Sequence, residues 1–299
     1  MPGKVDKASA TSHEGDITAL DYCSKTGLLY TAGGDGKVKV WDKDLNLKNE
    51  LIAHESWIYC IAVSPEGKVY TGSNDGTIRV LEKPLEQCES KQICKTLDEI
   101  ESLYIQGDTV YSGDDKGVVA FFEDDKFKSR IETSEEVKNL IVENGFIYTI
   151  RDRDLSIFAA DTSKTVAGLQ HRAAIPGCAP ICLFGDIVNG KRAYLGMLTR
   201  GAKGLKVIKN HPDERFAVLC EKDDLHELII NALTGIDNFL FTGDYVGKVK
   251  KWSVDGGKLN LVGEIEACPG VCINCLKATD SKTVYCGSSD GILRKLDFS

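Results

Sequence analysis

Three cysteines in the segment CPGVCINC, Cys268, Cys272 and Cys275, have the spacing with which thiolates hold an iron–sulfur cluster in some radical enzymes. Zinc is the other metal that such thiolates take. A second candidate set is His13, His54 and His226, a trio of imidazoles that would serve as metal ligands if they met. Each set must be placed on an element before its chemistry is credited. If CPGVCINC lies on an innermost strand, alternation sends Cys272 and Cys275 to opposite sheet faces, which favours small buried thiols over a shared metal. His171 and His211 carry no pattern. No Gly-rich phosphate loop precedes a helix, GAKG at residues 201–204 reads as a lengthened turn, and no Ser/His/Asp set assembles. The expectation is no catalytic residue, no cofactor and no metal.

The elements that must position these residues repeat along the chain. The stretch YTAGGDGKVKVWD at residues 30–42 is two alternating runs joined by an Asp-Gly turn, the signature of a hairpin. Relatives of it are YTGSNDGTIRVLE, YSGDDKGVVAFFE, YTIRDRDLSIFAA, FTGDYVGKVKKWS and YCGSSDGILRKLD, with a looser copy at AYLGMLTRGAKGLKVIKN. Their leading aromatics, Tyr30, Tyr70, Tyr111, Tyr148, Tyr194, Phe241 and Tyr285, are 40, 41, 37, 46, 47 and 44 residues apart. A period near 40 to 45 residues is that of propeller blades. An apolar run such as ITAL or INCL precedes each copy and a further alternating run follows it, so each unit predicts four strands, the first of them fully buried near an axis. A sheet this small leaves its faces bare, and stacking seven units into a ring covers them. The last copy supplies only three strands. Residues 3–11 are therefore predicted to pair as the outer strand of blade 7. The fold class expected is all-β: a seven-bladed β-propeller of four-stranded antiparallel blades in a single domain over residues 1–299.

This pattern resembles the WD-repeat β-propeller family. The resemblance implies a hydrogen-bonded chain in each well-kept blade: a His before the inner strand, a Ser/Thr on the second strand, an Asp in the turn and a Trp on the third. Blade 1 matches at His13, Thr31, Asp35 and Trp41, and blade 2 at His54, Thr71 and Asp75 with Leu81 for Trp. Blade 6 keeps His226, Thr242 and Trp252, with Val246 in the place of Asp. Blades 3, 4, 5 and 7 lack the His and the Trp, and such blades are expected to pack apolar groups instead. On this reading the three histidines are structural and belong to different blades.

Residues flanking the start of each inner strand, and the residue before the turn Asp, surround the upper mouth of such a ring. Projection of the repeats places Asp16, Thr18, Trp57, Tyr59, Glu99, Glu101, Glu136 and Lys138 there, with Asn74, Asp114, Tyr245 and Ser289 from the turns. Ala179, Ile181, Ile229, Asn231, Cys272 and Asn274 complete the circle. Acids around an aromatic pair suit a cationic side chain, so a Lys- or Arg-bearing peptide is the expected guest. Exposed acids as mere solubilising groups, with Trp57 packed between blades, are the competing explanation. A second surface is the FFEDDKFKSR run at residues 121–130, which reads equally as a solvated charged face.

The totals agree with a binding protein. The 299 residues are 42% hydrophobic, and 45 acidic against 37 basic residues give a net charge of −8. That charge repels nucleic acid and anionic lipid. No apolar stretch reaches the ~18 residues of a membrane span, the first fifteen residues lack the apolar core of a signal peptide, and eleven cysteines at irregular intervals fit a reducing compartment, cytoplasm or nucleus. The function expected is a non-catalytic scaffold or adaptor, a monomeric propeller within a larger assembly. The alternatives are a substrate receptor of a ubiquitin ligase, against which Trp41-Asp42 is followed by Lys43-Asp44 rather than by the Arg of some ligase-linked propellers, and a cysteine-cluster metal or redox protein.

Overall fold

The computed structural model describes residues 3–133, 135–161 and 168–299. They form seven four-stranded antiparallel sheets, the blades of a propeller. Blade 1 shows the plan, with an inner strand Ile17–Cys23, a second Leu28–Gly33, a third Lys37–Trp41 and an outer Leu47–Ile52. The hairpin between the second and third strands closes because Gly36 takes a left-handed φ of 71° and Asp35 accepts the Lys37 N–H at 3.1 Å. A side chain at Gly36 would collide with the His54 carbonyl. The Gly36 carbonyl in turn accepts the N–H groups of Ala53 and His54, both at 3.0 Å, so the turn of one blade seats the loop that opens the next.

Blade-to-blade packing uses one face of each sheet. Val38, Val40 and Leu51 of blade 1 are buried against Ile58, Ile61 and Val69 of blade 2. Phe241 and Val249 of blade 6 meet Ile273 and Val284 of blade 7 in the same way. A buried aliphatic or aromatic side chain contributes about 1.5–3 kcal/mol each, which is how sheets too small to fold alone become stable together. The approach is close: a Cβ at Gly72 or Gly287 would stand 2.5 Å from Ile100 or Ile17 of the following blade.

The ring closes as the sequence predicts. The strand Lys4–Ala8 pairs antiparallel with Leu293–Asp297 as the fourth strand of blade 7, with Val5 opposite Leu296. The inner strands differ from expectation. Ile17–Cys23 is buried only at Ile17, Leu20 and Cys23 and half-buried between them instead of being fully buried, because seven strands cannot meet at an axis and their free edges line a channel. The lower part of that channel encloses about 540 Å³ and touches the inner strands of all seven blades. The only helical element among the described residues is a 3₁₀ turn, Pro212–Glu214, in blade 5.

One local device recurs at the upper end of the channel. In blades 1, 2, 3, 6 and 7 the pairing of the inner strand skips one residue just after its start, leaving Thr18, Tyr59, Glu101, Asn231 and Asn274 without a partner on the second strand. A bulge of this kind re-aims the extra side chain. Deletion of residues 3–8 should lower the thermal unfolding midpoint by about 5 °C or more and speed amide exchange along Leu293–Asp297, which a differential scanning and hydrogen-exchange comparison would measure.

Candidate functional site

Two networks that share the sequence repeat do different work. The first lies inside the blades. In blade 1, His13 Nδ1 is 2.9 Å from Asp35 Oδ1 and its Nε2 is 2.7 Å from Thr31 Oγ1, to which Trp41 Nε1 donates at 2.9 Å. In blade 2, His54 contacts Asp75 at 3.1 Å and Thr71 at 2.8 Å, with Leu81 closing the end. Burial alone would raise the Asp35 carboxyl, but the His13 hydrogen bond and charge and the amides of Glu14 and Lys37 outweigh it and bring it down to about 2.

Blade 6 departs from the projected pattern. Val246 occupies the turn position as expected, yet the carboxylate is not missing: Asp244, two residues earlier, is 2.8 Å from His226 Nδ1, while Nε2 is 2.7 Å from Thr242 and Trp252 Nε1 donates to Thr242 at 3.0 Å. The equivalent position in blade 1 is Gly33, whose absent Cβ would point at His13 Nδ1. An acid there faces the imidazole from the strand instead of from the turn.

Asp114 is the same position in blade 3, and this corrects its assignment to the rim. It is buried and accepts the N–H groups of Lys116 at 3.0 Å and Val118 at 2.8 Å, as Asp244 accepts those of Val246 and Lys248. The rim residue of that turn is Asp115. The two buried aspartates differ in one neighbour. Burial raises the Asp114 carboxyl and its two amides do not offset it, whereas at Asp244 burial is overcome by His226 and the same two amides, and the carboxyl falls below its usual value.

Two of the blades without the His fill its place with apolar or thiol groups, while blades 3 and 4 seat Thr96 and Thr133 on the preceding turn instead. Gly177 and Met197 occupy blade 5, and the Met197 side chain closes over Gly177. In blade 7 the loop residue whose N–H meets the Gly247 carbonyl, as His54 meets that of Gly36, is Cys268. Only Cys275 of the cysteine trio lies on the inner strand Ile273–Ala278; Cys268 and Cys272 belong to the loop before it. Burial pushes the Cys272 and Cys275 thiols up to about 11 and about 12. Among the described residues no group of three or more His, Cys, Asp or Glu could hold a metal ion.

The second network is the upper mouth. Of the bulged residues, three stitch neighbouring blades. Thr18 donates to the Ile58 carbonyl at 2.5 Å, Asn231 to that of Ile273 at 3.2 Å and Asn274 to that of Ile17 at 3.1 Å. Blades 2 and 3 make this stitch with the next residue, Cys60 to the Ile100 carbonyl and Ser102 to that of Val137. Tyr59 and Glu101 are thereby released to the channel.

Around these two the rim is chemically distinct. Trp57 is 48% exposed and lies over Gly34 of blade 1, where even a Cβ would press on the indole at 3.2 Å. Burial raises the Tyr59 phenol, and the Glu99 and Glu101 carboxylates add to the effect. Burial also raises the Glu101 carboxyl; Glu136, Glu99 and Asp115 push it further and Lys138 opposes. Asp115 is paired with Lys116 at 2.6 Å and Glu136 with Arg151 at 2.5 Å. Glu99 and Glu101 have no cationic partner among the described residues. The Asn74 Oδ1, buried beside them, accepts no hydrogen bond there.

The remaining rim candidates do not join this arc. Asp16 turns to blade 7, accepting from Asn274 at 3.3 Å. Tyr245, half exposed, adjoins exposed Ile229 in blade 6, where its N–H meets the Ile229 carbonyl at 3.2 Å. The FFEDDKFKSR run is largely structural: Phe121 and Phe122 are buried, and Asp125 receives the Tyr70 hydroxyl at 2.8 Å and Lys68 at 3.3 Å, tying blade 3 to blade 2.

The WD domain, G-beta repeat family model matches residues 6–42 and 45–81, blades 1 and 2. Two of the seven blades thus match the WD repeat, within a seven-bladed propeller. The WD40 beta propeller domain of Doa1 superposes with a TM-score of 0.75 at 14% identity, covering 99% of this chain and 96% of that one. U3-55K superposes with a TM-score of 0.78 at 13% identity, covering 97% and 100%. Identities this low show the fold alone. No curated protein matches the sequence. WD-repeat propellers generally mediate protein–protein interactions.

A row of cations on the third strands of this propeller escaped the sequence reading. Lys39 and Lys206, both buried, donate to the carbonyls of Ser12 and Pro176 at 2.6 Å, and Lys250 to that of Leu225 at 2.9 Å. Their common signal is a lysine two or three residues after the turn glycines Gly36, Gly204 and Gly247; blades 3 and 4 have Ala120 and Ser156 in its place. The contrast between Asp244 and Asp114 is testable. Asp244 has a depressed carboxyl, so its stabilisation is present above pH ~4 and is lost as pH falls through its lower folded value. Asp114 is raised, so its ionised form opposes folding above its folded value. Near pH 7, Asp244→Asn should cost about 1–3 kcal/mol and Asp114→Asn should leave stability unchanged or increase it, as measured by denaturant unfolding.

Proposed function

We propose that the rim of blades 2 to 4 docks a Lys- or Arg-bearing segment of a partner protein, and that the chain acts as a non-catalytic adaptor. The observation that carries this reading is the pair Glu99 and Glu101, carboxylates without a cation, beside the exposed Trp57 indole and the unmet Asn74 acceptor. A guanidinium or ammonium group entering there gains two carboxylates, a hydrogen-bond acceptor and an indole face together. A cation over Trp contributes about 0.5–2 kcal/mol, and a desolvated charge pair adds specificity and slows dissociation. Bulk solubilisation does not account for an acid raised by burial: a carboxylate that served only to hydrate the surface would stand in water.

The test is fluorescence anisotropy with labelled peptides carrying one Lys or Arg in an otherwise neutral extended sequence, against the Ala-substituted peptide. Trp57→Ala and Glu101→Gln should each weaken binding about 10-fold or more, and raising salt should weaken it further. Because the Glu101 carboxyl is raised and the guest favours its ionised form, affinity should fall as pH drops below neutral, and Glu101→Gln should flatten that dependence. Equal affinity of wild type and both variants would remove the rim as the site.

A further inference from the structure

The opposite end of the channel has a different chemistry. Its cavity of about 540 Å³ is within the range of small-molecule sites, about 300–1,000 Å³. Two carboxylates face it, and both are engaged. Asp21 receives Lys277 at 2.6 Å, the Tyr22 N–H at 2.8 Å and the Val63 N–H at 2.9 Å. Glu143 receives the Arg192 N–H at 2.9 Å and Asn210 Nδ2 at 2.8 Å. The Asn139 carbonyl oxygen is likewise taken, by the Ile181 N–H at 2.9 Å.

Donors, by contrast, remain. Arg192 is exposed and uses one guanidinium nitrogen, Nη1, on the Gly185 carbonyl at 3.0 Å; among the described residues it has no carboxylate partner. Lys277 has N–H groups beyond the one aimed at Asp21. The half-buried Tyr104 hydroxyl has no hydrogen-bond partner among the described residues. Burial pushes its phenol up to about 12, Glu143 and Asp21 add to this and Arg192 opposes it, so it stands as an O–H donor across the working pH range. Side-chain acceptors are satisfied and side-chain donors are left over, which is the hydrogen-bond balance of a site awaiting an anion.

We propose that the lower half of the channel binds a small organic anion whose carboxylate or phosphoryl oxygens are held by Arg192, Tyr104 and Lys277. This site is independent of the upper rim and of the guest proposed there. The net charge of −8 repels anions in general, so binding must come from local donors and not from the overall field.

Isothermal titration of the full chain with citrate and, separately, with pyrophosphate at constant ionic strength tests it, with sodium chloride as the control. One-to-one binding of at least one probe is expected, the preferred probe separating a carboxylate from a phosphoryl guest. Arg192→Gln should weaken it at least 10-fold and Tyr104→Phe about 3-fold, while Glu101→Lys at the other mouth leaves it within about twofold. Absence of binding of both probes up to about 10 mM, or unchanged affinity in Arg192→Gln, would overturn the site. If Arg192→Gln does not fold, Tyr104→Phe decides, and equal affinity there has the same consequence.

Discussion

A blade of four short strands cannot cover its own faces, and everything else in this protein follows from that constraint. Each sheet finds its cover in the next, so the chain must repeat, and the repeats must close. Closure is achieved by Lys4–Ala8 lying beside Leu293–Asp297. The interfaces are apolar and tight, with glycine wherever a neighbouring isoleucine comes closest, as at Gly72 and Gly287. The price is a set of seven inner edges that cannot meet, and these edges make the channel.

The channel is where function can be placed without disturbing the ring. At its upper end a recurrent bulge turns one residue per blade toward the mouth. In three blades that residue is tied to the neighbouring inner strand, through Thr18, Asn231 and Asn274. In blades 2 and 3 the tie passes to Cys60 and Ser102, and the bulged Tyr59 and Glu101 are free. A shift of one residue in a structural hydrogen bond thus separates a position that ties blades together from one that does not. At the lower end, Lys277 with two backbone N–H groups meets Asp21, and a backbone N–H with the Asn210 amide meets Glu143, which leaves Arg192 and Tyr104 facing the cavity. On the two proposals made above, the ends take ligands of opposite charge, although the chain as a whole is acidic.

The blade interior shows how the same site tolerates variation. His13, Thr31, Trp41 and Asp35 satisfy one another in blade 1, and blade 6 reaches the same closure with its acid moved from the turn to the strand. Blade 5 dispenses with polarity by closing Met197 over Gly177. In blades 1 and 6 every member of the network finds a partner, whereas blade 5 leaves the buried Thr199 hydroxyl without one. What differs is titration: a buried aspartate with an imidazole beside it is held ionised, and Asp114, without one, is pushed toward its neutral form.

The sequence by itself determined the blade count, the four-strand unit and the closing strand, because hairpin turns and apolar alternation are local and repeat at a measurable period. It also brought forward His13, His54 and His226, whose threonine partners lie 18, 17 and 16 residues on. Only the tertiary structure decided which residue fills a shared position. Asp244 replaces the acid that Val246 lacks, Asp114 turns inward while Asp115 faces the mouth, and Asp16 leans to blade 7. A shift of one residue is invisible to a repeat alignment but reverses the direction of a side chain, because successive residues on a strand point to opposite faces. The bulges, and with them the release of Tyr59 and Glu101, and the lower site around Arg192 depend on contacts between residues from 35 to 257 positions apart. No local pattern records such contacts, since only the closed ring brings those residues together.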